Sequence, residues 1–318
     1  MPTSIESWAE RVRAGDIRAI SRAITAIENR AEDAEELLRA LFTATGRAWL
    51  VGVTGAPGTG KSTLVDRLAA CYRKENMQVG IIAVDPTSPF TGGAILGDRI
   101  RMQRHASDSG TFIRSMATRG FLGGLARATS DVALLLDASG KDVILIETVG
   151  VGQDEIDIVR LADFVAVLLV PGLGDDIQNM KAGLMEIADL FVVNKADREG
   201  ADRLEQQLHA MLAVAPARDG WQPPVVRTIA SENKGIDLVE DAIVQCRRHR
   251  ESVAAPQRGK IEYWKRRLLD MLEGRLLERV FARDSSEAML EDLAAAVAER
   301  KMDPFSAVQE ILARGGLG

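Results

Sequence analysis

Much that would mark a secreted, metal-storing, membrane or nucleic-acid-binding chain is missing from these 318 residues. There are two cysteines, Cys71 and Cys246, far apart in sequence. They allow no disulfide framework and no C-x-x-C metal site, and they fit a reducing compartment. The three histidines, His105, His209 and His249, stand singly, and isolated imidazoles are more often surface or core residues than ligands. Aromatic residues make up 4% and the formal net charge is −6. With no basic stripe and no interleaved aromatics, neither nucleic acid nor an anionic membrane surface is an expected partner. No apolar run approaches the length of a membrane span. The opening M-P-T-S-I-E-S-W-A-E carries acids early and has no apolar signal core, so the expected location is the cytoplasm.

What is present is a foldable α/β pattern. A 46% hydrophobic and 27% charged composition supports a sizeable core, in one large domain with appendages or two modest ones. Residues 1–46 read as helices: Ile5, Trp8 and Val12, then Ile17, Ile20, Ile24 and Ile27, recur at helical spacing, with Gly15-Asp16 as break and cap. From residue 47 strand and helix patterns alternate. Strands are expected at 49–54, 80–85, 111–116, 142–148, 164–170, 190–194 and 225–229, the best of them continuous apolar runs suited to parallel strands covered on both faces. Helices are expected at 61–74, 123–137, 155–161, 178–187, 203–213 and 236–250. Ala254-Ala255-Pro256 reads as a linker. Beyond it the pattern is helical at 260–280, 286–300 and 304–313, an appendage that packs on its own domain or dimerises; spacing alone does not choose. The domains are therefore 1–46, 47–253 and 254–318.

The chemistry begins at A-W-L-V-G-V-T-G-A-P-G-T-G-K-S-T-L-V-D-R-L, residues 48–68. Gly55, four residues, then Gly60-Lys61-Ser62 match G-x-x-x-x-G-K-[ST], with a strand before and a helix after. Glycines at 55, 58 and 60 let the backbone, with Ala56, Pro57 and Thr59 between them, curl around a polyphosphate so that its N–H groups form an anion nest. The helix start adds its positive end. Lys61 supplies a charge for the β- and γ-phosphates, Ser62 a hydroxyl for Mg²⁺, and Thr63 follows on the first turn. The expected fold is thus the P-loop NTPase one: α/β, a doubly wound, mostly parallel sheet with N- and C-terminal helical extensions.

Asn194-Lys195-Ala196-Asp197 follows the apolar run D-L-F-V-V. N-K-x-D at a strand end reads guanine. The Asp197 carboxylate accepts from the N1–H and the exocyclic amine, whereas adenine would set an unprotonated nitrogen against it. Asn194 tethers loops, Lys195 lies along the base, and Ser231 is placed for a backbone contact to the guanine carbonyl. Asp142–Gln153, D-V-I-L-I-E-T-V-G-V-G-Q, is a strand ending in Glu147, where a Walker B motif usually has Asp, and Gly150 is placed to sense the γ-phosphate. Asp85 ends another strand and Asp98 lies in a following loop. Ser62, Asp85, Asp98 and Glu147 exceed what one Mg²⁺ takes from protein, so some are expected to act through water or in one nucleotide state. Alone, Asp85 also reads as a strand-end cap and Asp98 as a helix N-cap.

Together, G-A-P-G-T-G-K-S-T, V-D-P-T-S-P-F-T-G-G-A-I-L-G-D-R-I-R-M, E-T-V-G-V-G-Q, P-G-L-G-D-D-I-Q-N-M-K-A-G-L-M-E-I-A-D and N-K-A-D resemble the MeaB/ArgK/MMAA GTPases. These are chaperones of adenosylcobalamin-dependent acyl-CoA mutases, above all methylmalonyl-CoA mutase. The resemblance is strong over residues 45–235. It implies GTP/GDP and Mg²⁺ as cofactors, a mutase partner, and a homodimer built by the C-terminal helices. It gives Lys61, Ser62 and Thr63 to phosphate and metal, Asp85, Asp98 and Glu147 to magnesium, and Asn194 and Asp197 to guanine. Asp175, Asp176, Gln178 and Lys181 fall in a switch that would couple nucleotide state to the mutase. The catalytic candidates are Lys61, Asp98, Gln153 and Lys181. Val151 stands where Ras-like enzymes orient water with Gln, so slow intrinsic hydrolysis is expected, with Arg99, Arg101 and Arg119 available to stabilise charge or simply to form ion pairs. Two other readings compete: a kinase or ATPase of amino-acid transport, which N-K-A-D opposes, and a nickel-insertion GTPase, for which soft or imidazole ligands are short.

Overall fold

The computed structural model describes residues 4–85, 108–117, 124–148, 161–172, 188–215, 217–253, 256–280 and 286–314. They fall into two compact units, Met1–Val253 and Ala254–Gly318.

In the first unit three helices precede the sheet: α1 (Ile5–Arg13), α2 (Ile17–Glu28) and α3 (Glu32–Leu41). The turn between α1 and α2 is set by Gly15 at φ +75° and by Asp16. The Asp16 carboxylate accepts from the N–H groups of Arg18 (2.8 Å) and Ala19 (3.1 Å), capping α2. Trp8 is buried and donates its indole N–H to the Ala19 carbonyl (3.1 Å), so its polar edge is satisfied inside the core.

The sheet then builds from β1 (Trp49–Gly55), β2 (Val79–Asp85), β3 (Thr111–Ala117), β4 (Val143–Thr148), β5 (Phe164–Leu169), β6 (Leu190–Asn194) and β7 (Val225–Thr228). Their order is β3-β2-β4-β1-β5-β6-β7. Every pairing is parallel, so the sheet expected to be mostly parallel is wholly so among the described strands. The helices of this unit after the sheet begins are α4 (Lys61–Lys74), α5 (Gly124–Ala138), α6 (Ala201–Val214) and α7 (Ile236–Ser252). The helices expected at 155–161 and 178–187 fall essentially outside the described residues.

Alternation along the strands divides the core. Val143 and Leu145 face the layer containing Leu64, Leu68, Val239 and Ile243 of α4 and α7. Ile144 and Ile146 face the opposite layer, where Leu135 and Leu136 of α5 meet Ile20, Ile24 and Leu37 of the N-terminal helices. Residues 4–46 thus pack on α5, which lies on one face of the sheet at β2, β3 and β4. The strand starts are fixed by a repeated device. Asp142, Asp163 and Asp189 each stand one residue before a strand, and each carboxylate accepts a backbone N–H from a neighbouring strand or its approach: Gln78 (2.6 Å), Leu50 (3.0 Å) and Val165 (2.9 Å). Asp142 therefore caps β4 instead of extending it.

The second unit holds α8 (Pro256–Val280), α9 (Ser286–Ala298) and α10 (Pro304–Arg314). Pro256, expected in a linker, opens α8, where its missing N–H leaves no helical bond unmade. Asp303 caps α10 through the N–H groups of Phe305 and Ser306, both at 3.0 Å.

Candidate functional site

β1 occupies the point where the sheet reverses its winding: β2 and β4 lie to one side, β5 to β7 to the other. In open α/β sheets this is where the carboxyl ends of strands leave a crevice for ligand. The glycine-rich loop follows β1 directly. Gly55 has φ +144°, and a Cβ there would lie 2.3 Å from the Leu168 carbonyl oxygen. Gly60, at φ +99°, caps α4, and a Cβ there would lie 2.4 Å from Asn194 Nδ2. Both positions therefore require glycine for curvature and for close approach.

Lys61 is the first residue of α4 and is buried. Its ammonium donates to the carbonyls of Gly55 (2.8 Å) and Ala56 (3.0 Å), lying across the loop. Thr59, also buried, donates its hydroxyl to the Ala56 carbonyl (2.8 Å). Pro57 and Gly58 form the exposed tip, and Thr63 is half-buried on α4. Ser62 donates its hydroxyl to Glu147 Oε1 at 2.6 Å. Glu147 is buried at the end of β4, in register with Val53 of β1 and Ala83 of β2. A hydroxyl and a carboxylate are hard oxygen donors, the chemistry that suits Mg²⁺, and they sit beside a helix N-terminus that attracts phosphate. The residues present thus fit a magnesium-bound polyphosphate.

A second cluster gathers at the ends of β6 and β7. Asn194 is buried and works in both directions. Its Nδ2 donates to the Thr59 carbonyl (2.7 Å), and its Oδ1 accepts from the Thr228 hydroxyl (3.0 Å) and the Ala230 N–H (3.1 Å). Lys195, at φ +55°, donates its ammonium to the Gly58 carbonyl (2.7 Å). The N-K-A-D turn is therefore tied to the phosphate loop at two points. Asp197 and Ser231, which follow β6 and β7, are exposed.

Not every expected residue is brought in. Asp85 closes β2, and its side chain is outside the description, as are Asp98, Gly150, Gln153, Asp175, Asp176, Gln178 and Lys181 and the arginines 99, 101 and 119. The sequence reading missed Arg67, whose guanidinium donates to the Ala230 carbonyl (3.2 Å) and the Ser231 carbonyl (3.4 Å). It also missed Thr54 and Thr148, buried neighbours joined by a 3.0 Å hydroxyl pair behind the loop. Both threonines lie inside the quoted motif strands, where only the adjacent strand order reveals that they meet.

Comparison with known proteins agrees with this geometry. A Pyrococcus abyssi protein assigned to the GTPases is 51% identical over 97% of this chain and 96% of its own length. GTPase ArgK of Escherichia coli is 34% identical over 95% of this chain and 93% of its own. The mouse mitochondrial methylmalonic aciduria type A homolog is 37% identical over 61% of this chain and 48% of its own. Among solved structures, a LAO/AO transport system kinase superposes with TM-score 0.74 at 27% identity, covering 98% of this chain and 97% of that one. The pattern of the family described as methylmalonyl Co-A mutase-associated GTPase MeaB spans residues 20–285. This match accompanies a phosphate loop tied by Asn194 to an N-K-A-D turn, on a sheet whose described strands are all parallel, and the chain belongs to this MeaB family of GTPases.

Proposed function

We propose that this GTPase is a switch that gates adenosylcobalamin loading and protects a cobalamin-dependent acyl-CoA mutase, methylmalonyl-CoA mutase above all. The observation that supports it most is the double tether of the N-K-A-D turn to the phosphate loop, within a family named for its association with that mutase. The backbone N–H groups of residues 55–60 and the α4 terminus hold the phosphates of GTP or GDP, and Lys61 exchanges its carbonyl partners for phosphate oxygens. Ser62, Asp85, Asp98 and Glu147 would hold Mg²⁺, some of them through water or in one nucleotide state only, and the metal would supply charge neutralisation at the polyphosphate. Asn194, Lys195, Asp197 and Ser231 read guanine. Gly150 senses the γ-phosphate, and Asp175, Asp176, Gln178 and Lys181 couple nucleotide state to the partner, so the output is a shift between conformations.

The protein works as a cytoplasmic homodimer. On α8 to α10, Ile261, Leu268, Leu272, Phe305 and Val308 are exposed, an apolar surface suited to a second copy.

A nucleotide-dependent kinase is the second reading, since the superposing crystal structure bears that name. Phosphate release measured with GTP and with ATP, each alone and with candidate mutases, separates the two. GTP preference of at least about a hundredfold and faster release with one mutase are expected. Equal use of ATP would sink the guanine reading. A rate indifferent to every cobalamin mutase would leave a GTPase but remove the chaperone role.

A further inference from the structure

Arg67 lies on α4, beyond the residues that the phosphate loop needs. Its Nε donates to the Ala230 carbonyl at 3.2 Å and its Nη2 to the Ser231 carbonyl at 3.4 Å. The segment it grips is small and internally braced. Ile229 and Lys234 exchange backbone hydrogen bonds at 3.1 and 3.3 Å, and Asn233 takes φ +59°. Gly235 follows at φ +73°, where a Cβ would lie 2.2 Å from the Arg227 carbonyl oxygen. Ala230 itself is buried and held from the other side, its N–H donating to Asn194 Oδ1 at 3.1 Å. One residue is therefore pinned at its N–H by the N-K-A-D turn and at its C=O both by the Asn233 N–H (3.3 Å) and by the helix that carries the phosphate loop.

The Ala230 carbonyl and the Ser231 N–H belong to one planar trans peptide, so they point in opposite directions. Fixing the carbonyl on a guanidinium fixes the direction of the N–H. A charged donor on the carbonyl also polarises the peptide and makes its N–H a stronger donor.

We propose that Arg67 is a specificity-determining positioning residue: by holding the Ala230 and Ser231 carbonyls it aims and strengthens the Ser231 N–H that receives the oxygen at C6 of guanine. This rests on the reading of Ser231 given above. Arg67 does not touch the base. It acts through the peptide, and it makes recognition of the base depend on the placement of α4.

The test compares binding of three nucleotides to the full-length protein by calorimetry. GDP is the reference. 6-Thio-GDP keeps the N1–H and the amine but carries a poorer acceptor at C6. IDP lacks only the amine that Asp197 reads. In Arg67→Ala the preference for GDP over 6-thio-GDP should fall about fivefold or more, while the preference for GDP over IDP stays within about twofold. Arg67→Lys, which reaches one carbonyl in place of two, should fall between. Arg67→Met keeps the aliphatic stem and serves if the alanine variant does not fold. Two ratios that are unchanged, or that fall together, overturn the proposal. A wild-type protein indifferent to sulfur at C6 would instead show that the Ser231 reading itself is wrong.

Discussion

At the scale of single residues, recognition here comes down to donors and acceptors that match one base. Asp197 is exposed in the tethered turn, and in the proposed reading its carboxylate accepts two hydrogen bonds from guanine. In Asp197→Asn the amide accepts one and offers a donor against the exocyclic amine. GTP affinity should drop by roughly a hundredfold, as expected for losing one charged hydrogen bond and reducing the other to a neutral one. Xanthosine triphosphate, which has a carbonyl in place of that amine, should gain relative to wild type. Fluorescent-nucleotide competition reads both. The sequence made Lys61, Ser62, Glu147 and Asn194 legible because each stands in a motif whose spacing carries its chemistry. Arg67 was not legible. On a helix it reads as a solvated cation, and only the folded chain brings residues 67 and 230 together.

Among the elements, the sheet was legible almost to the residue, since runs such as F-V-A-V-L-L and V-I-L-I-E-T are buried throughout and have no amphipathic alternative. Acids before strands were less so. By pattern Asp142 reads as part of its strand, but its carboxylate satisfies the Gln78 N–H, a use that depends on which strand lies alongside. Pro256 misled for a similar reason, as proline breaks a helix interior and yet starts one well.

Asp108, just ahead of β3, gives an element-level prediction. It accepts from Arg73 Nε (2.7 Å) and Nη2 (3.0 Å), the Gly110 N–H (3.0 Å) and the Thr111 hydroxyl (3.1 Å). The Arg73 guanidinium first, then the Gly110 N–H, hold its carboxyl well below the ordinary carboxylate range. A carboxyl that folds into a lowered pKa adds stability that is present above its unfolded value near 4, and that stability fades as pH falls through the folded value. Asp108→Asn should therefore cost about 1–2 kcal/mol at pH 7. The gap to wild type should close progressively below about pH 4. Urea titrations across that range measure it.

For the molecule as a whole, the exposed leucines of α8 test the proposed homodimer. Leu268 and Leu272 are 62% and 55% exposed, and a glutamate at both would place two charges in any apolar contact there. Light scattering should show the double variant as a monomer, with GTP binding retained, because the nucleotide site lies wholly in the first unit. A dimer that survives would move the interface elsewhere.

The burial of Cys246 has a practical consequence. It sits on α7 with no exposed surface, and burial first, then the Asp189 carboxylate, pushes its thiol up to about 12. Asp189 is itself buried under Arg218 and Arg250. A thiol so placed is inert until α7 lifts away, and α7 begins one residue after the glycine that ends the 229–235 turn. Cys246 thus reports on any lifting of α7, readable with a thiol-reactive dye and no engineered label. Half-buried Cys71 should react first. GDP at a hundred times its dissociation constant should slow the second phase by up to about a hundredfold. A second phase blind to nucleotide would mean that α7 opens without disturbing the base site.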